Sequence, residues 1–130
     1  MARVTTQKEL EAVLRLDGPA RFQHFVKRVA DAESAWGLWR EGWALLGDDA
    51  GADAFPLWPA REYAALLQTE DWANHEPSEI PLDDLLGELL PGLRAKGTSV
   101  AVFPKPDGRG VVVTADELEA TLRRELEKYT

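Results

Sequence analysis

The sequence predicts one α+β domain: a sheet of about five strands, antiparallel or mixed, packed by helices in the order α-α-β-β-β-α-α-β-β-α. Three observations lead there. Apolar residues recur at helical spacing in separate segments, several of which open on helix-capping residues. Short strand-like runs lie in adjacent groups instead of alternating strictly with helices, which argues against a parallel βαβ sheet. The chain's 130 residues, 45% hydrophobic and 29% charged, suit a single globular unit spanning 1–130, with no repeat or linker dividing it.

Thr6-Gln7-Lys8-Glu9 reads as a capping box, in which the threonine accepts from an orphan amide and Glu9 reaches back. Leu10, Val13 and Leu14 supply the apolar stripe of this first helix. Asp17-Gly18-Pro19 breaks it and starts a second, whose Phe22, Phe25, Val26, Val29 and Ala30 share one face. Arg21, Gln23, Lys27, Arg28 and Asp31 fall on the side read as solvated. From Ala35 the period shortens. Trp36–Arg40 and Trp43–Leu46 are strand-like runs about Glu41-Gly42, a tight turn, and Gly47–Asp53 is a polar loop. Ala54–Trp58 is a third strand, and Pro56, lacking a backbone donor, places it at an edge or ends it early.

A short helix follows Pro59 and carries Tyr63, Leu66 and Leu67; Thr69–Glu79 has no clear pattern. Pro81 opens the next helix, with Asp83 and Asp84 complementing its dipole and six leucines (82, 85, 86, 89, 90 and 93) on its apolar face. Pro91-Gly92 is expected to kink or split it, and Arg94, Lys96 and Gly97 form its end. Val100–Phe103 and Val111–Val113 are the clearest strands. Thr114-Ala115-Asp116-Glu117 is a second capping box, leading into a helix with Leu118, Leu122, Leu126 and Tyr129 on one face.

Composition narrows the function classes. With no cysteine, a disulfide framework, a thiol nucleophile and a zinc ribbon are excluded, and a reducing compartment fits. The N-terminus has no signal-peptide h-region and no apolar run reaches the ~20 residues of a membrane span, so a cytoplasmic protein is expected. A net charge of −8 repels phosphate backbones and anionic lipid. Neither nucleic acid nor a membrane is expected as partner; a basic protein would be steered toward this surface.

Five tryptophans, at 36, 39, 43, 58 and 72, are the most unusual feature. On a strand, Trp36 and Trp39 point to opposite faces, so without a bulge both cannot enter one core. Tryptophan buries much area with few rotors, which suits binding as well as core closure. All five, together with Lys105 and Arg109 on the loop between the valine-rich strands, are candidate protein-binding residues. Asp71 and His75, at i and i+4, are the weaker polar pair that acid–base chemistry would use. Asp48, Asp49 and Asp53 sit among glycines but lack the ligand spacing of a calcium loop. No metal, cofactor or catalytic set is implied.

Several segments in order resemble the bacterial domain of unknown function 2750 family: Phe25–Asp31, Trp36-Gly37-Leu38, Gly42–Leu46, Ala54–Pro59, Asp71-Trp72-Ala73 with Glu76-Pro77, Leu90–Leu93, Val100–Pro104 and Gly110–Val113. The resemblance covers about residues 20–129 and implies no catalytic residues. A more distant likeness, in the order of elements alone, is to the enhanced serine sensitivity domains, some relatives of which resemble toxin-neutralising immunity proteins. The leading expectation is a non-enzymatic binding or regulatory domain whose partner is another protein. An immunity protein blocking a basic toxin and a small hydrolase using Asp71 and His75 are the alternatives.

Overall fold

The computed structural model describes residues 6–47, 53–69, 72–106 and 110–129. Both N-terminal helices begin at the caps their sequence encodes. The Glu9 amide donates to Thr6 Oγ1 at 3.1 Å to start α1 (Gln7–Leu14), and the Ala20 amide donates to Asp17 Oδ1 at 2.9 Å to start α2 (Gly18–Ala32). Phe25, Val26, Val29 and Ala30 of α2 are buried, as their spacing predicts. Glu33 then takes a left-handed conformation, φ 59°, and turns the chain into β1 (Ser34–Trp39).

Among the described residues six strands form, divided between two sheets, where about five were expected. β2 (Leu46–Gly47), β3 (Asp53–Leu57), β5 (Ser99–Val102) and β6 (Val111–Val113) make a mixed sheet in the order β2-β3-β5-β6, with β3 and β5 parallel. β1 pairs separately and antiparallel with β4 (Glu76–Pro81), Ser34 opposite Pro81 and Trp39 opposite Glu76. Two reciprocal backbone bonds between Trp36 and Trp58, each 2.9 Å, tie this ribbon to the end of β3. The second run of the expected tryptophan hairpin is shorter than read. Trp43 makes one bridge to Trp39, and regular pairing resumes only at Leu46.

The edge reading of Pro56 is corrected by the direction in which its missing donor points. β3 is not an edge strand, since β2 pairs on one side and β5 on the other. Pro56 has the parity of Ala54 and Trp58, whose partners are Leu46 and Trp36, so its nitrogen faces the gap between those pairings. β4 lies largely in the stretch whose sequence gave no pattern. The Leu82 amide donates to Glu33 O at 2.8 Å, so by alternation Pro77 and Pro81 turn away from β1 and cost the ribbon no bond.

Between the strands run α3 (Arg61–Ala65), which buries Tyr63, and a longer helix, α4. The latter is α-helical over Leu82–Asp84, π-helical over Leu85–Leu89 and α-helical over Leu90–Lys96, where Gly97 closes it at φ 68°. Pro91 therefore does not end the helix. The wide turn before it, in which the Leu90 amide reaches Leu85 O, relieves the clash that a proline ring makes with the preceding turn. Leu82, Leu85, Leu90 and Leu93 are buried, while Leu86 and Leu89 are half-buried.

The last helix, α5 (Ala115–Leu126), starts where the Glu117 amide donates to Thr114 Oγ1 at 3.1 Å. It packs against α2 and α4 and buries Leu118 and Leu122, each worth roughly 1.5–3 kcal/mol of apolar transfer. Tyr129, expected on the same face, is instead 55% exposed in the 3₁₀ turn Glu127–Tyr129. Arg21 and Arg28 were expected in solvent and are buried. α1 packs back on α2 and brings Glu9 to Arg28 at 3.2 Å, while Arg21 Nη1 donates to Leu16 O at 2.7 Å. No described helix is long and apolar enough to cross a membrane.

Candidate functional site

The tryptophans separate by strand parity and by what covers them. Trp58 is fully buried, and its indole N–H donates to Pro104 O at 2.9 Å, satisfying the ring's polar atom inside the core. Trp36 and Trp72 are half-buried, and the Trp72 ring stands edge-on to Trp58 with centroids 6.4 Å apart. Trp39 is the ring that β1 turns outward, 43% exposed.

Trp43 occupies the central place. Its ring meets Trp39 in a T-shaped contact at 4.9 Å and lies 5.8 Å from Phe55. A Cβ on Gly37 would come within 3.0 Å of two Trp43 ring carbons, so the absence of a side chain there lets the indole settle against β1. From this position Trp43 walls two adjoining depressions beside α4. One, of about 310 Å³, is also lined by Glu79, Ile80, Pro81, Asp84, Glu88 and Leu89. The other, of about 390 Å³, shares Trp43, Glu88 and Leu89 and continues over Leu45, Phe55 and Leu93 to Lys96. Leu45, at its rim, is 44% exposed. Together they form a groove with an apolar floor.

The remaining sequence candidates lie elsewhere. Lys105 Nζ donates to Leu14 O at 3.2 Å, a basic group on the last carbonyls of α1, where the helix dipole favours it. Arg109 and Asp71 lie outside the described residues, as does most of the acidic loop, so the pairing of Asp71 with His75 has no structural account. His75 itself is half-buried, and its backbone carbonyl accepts from Gln68 Nε2 at 2.6 Å. Among the described residues no three histidine or acidic side chains are grouped to hold a metal ion.

Sequence reasoning missed Glu79, Ile80, Glu88 and Leu89 as groove residues and read Asp84 only as a dipole partner. Asp84 and Glu88, four apart on α4, carried a signal, because that spacing stacks both on one helix face. Glu79 carried none until β4 was paired.

A family model described as "Protein of unknown function (DUF2750)" matches residues 22–122. No curated protein matches the chain.

Proposed function

Because this chain belongs to the DUF2750 family, whose description assigns no activity, we propose its role from its own geometry: a protein-binding domain that meets its partner across the Trp39–Trp43–Leu45 face. One observation carries the reading. Trp43 lines two adjoining depressions and meets Trp39, 43% exposed, in a T-shaped contact, while Leu45, 44% exposed, lines the larger of the two. Large aromatic side chains held rigidly at a concave surface are what protein interfaces use as anchors.

The test is a comparison of two surface variants in the native host, using crosslinking and identification of the partner. Trp39→Ala/Leu45→Ser is expected to lose a partner that the wild type holds. Val112→Ser, at a position 56% exposed on β6, is expected to keep it. A partner retained equally by both variants would overturn the assignment of this face.

A further inference from the structure

We propose that the groove binds an extended protein segment carrying an arginine next to an apolar residue, the guanidinium seated in the depression bounded by Glu79, Asp84 and Glu88 and the apolar side chain in the one floored by Phe55 and Leu93. This rests on the protein-binding reading and adds the chemistry of the occupant.

The first argument is charge. Among the described residues, the smaller depression is lined by three carboxylates and no basic side chain; the larger has one of each sign, Glu88 and Lys96. The groove is therefore polarised along its length, acidic at one end and neutral at the other. None of the three carboxylates has a side-chain hydrogen bond or ion pair among the described residues, whereas Glu9, Asp116, Glu119 and Glu125 all have basic partners. They come from two elements, β4 and α4, that line one depression, where an entering cation would meet acidic side chains from both.

The second argument is the wall. Trp43 lines the acidic depression as well as the apolar one. An indole attracts a cation to its face, and a guanidinium both stacks on aromatic rings and hydrogen-bonds carboxylates in a planar fork. The three carboxylates are not clustered tightly enough to hold a metal ion. They suit a cation that spreads its donors over several ångströms. A second copy of the chain is a poor occupant, because each copy carries a net charge of −8.

The experiment selects heptapeptides from a displayed random library on the folded protein and measures the winners by tryptophan fluorescence and calorimetry. Enrichment of arginine adjacent to an apolar residue is expected. Asp84→Asn/Glu88→Gln should weaken such peptides by about tenfold or more, and raising salt should weaken them further. Circular dichroism checks that the variant keeps its fold. Apolar peptides without a basic preference, bound equally by that variant but lost in Trp39→Ala/Leu45→Ser, would overturn the inference and leave the protein-binding reading standing. Selected peptides indifferent to both variants would overturn both.

Discussion

Gly110→Ala tests how tightly the chain is folded back on itself after β5. Gly110 sits at φ 80°, and a Cβ there would collide with Val102 O, with Pro104 N at 2.8 Å and with Phe103 C at 2.9 Å. All three are backbone atoms, and Phe103, fully buried, is itself held at φ 58° with its amide donating to Leu57 O at 2.8 Å. No side-chain rotation can clear the space. Alanine at positive φ costs about 1–2 kcal/mol, and displacing packed groups costs about 1–3 kcal/mol more. The restricted unfolded chain returns only about 0.4–1 kcal/mol. The net destabilisation is therefore about 1–5 kcal/mol, centred near 3, which for a chain of this size lowers the melting temperature on the order of 10 °C. Urea unfolding followed by tryptophan fluorescence measures it, with Gly42→Ala as control, since nothing lies within 4 Å of that position. A loss below about 1 kcal/mol in Gly110→Ala would refute the reasoning.

Two further substitutions probe the tryptophans. Trp58→Phe deprives Pro104 O of its indole donor in a buried site and leaves a smaller ring, so about 2–4 kcal/mol should be lost in chemical unfolding; less than 1 would mean the bond is dispensable. Gly37→Ala places a methyl 3.0 Å from Cε3 and Cζ3 of Trp43 and should push that ring toward the groove, at a stability cost of about 1–2 kcal/mol. Indole N–H resonances give the readout: the Trp43 signal should move while that of Trp58 stays, and an unmoved Trp43 would show that β1 gives way instead.

Much of the local structure was legible because its causes are local. Thr6, Asp17 and Thr114 cap their helices with short-range bonds, and the α2 stripe Phe25–Val26–Val29 is buried as its spacing requires. Strand parity likewise separated Trp36 from Trp39 before any coordinates, although it could not say which ring would remain exposed. The burial of Arg21 and Arg28 was illegible for a corresponding reason. A helical wheel assigns faces, but whether α1 folds over one of them depends on where the chain goes after Asp17.

The sequence by itself determined the α+β class, the caps, the valine-rich hairpin and the crowding of tryptophans around a short turn. The tertiary structure alone decided β4 and, with it, the groove. Pairing between Trp36 and Glu79 joins residues far apart in the chain, and no local propensity marks a segment bearing Pro77 and Pro81 as a strand. Only that pairing sets Glu79 beside Asp84 and Glu88 and places all three along the wall formed by Trp43. Helix starts are written in neighbouring residues, whereas a binding surface is written in which distant residues become neighbours.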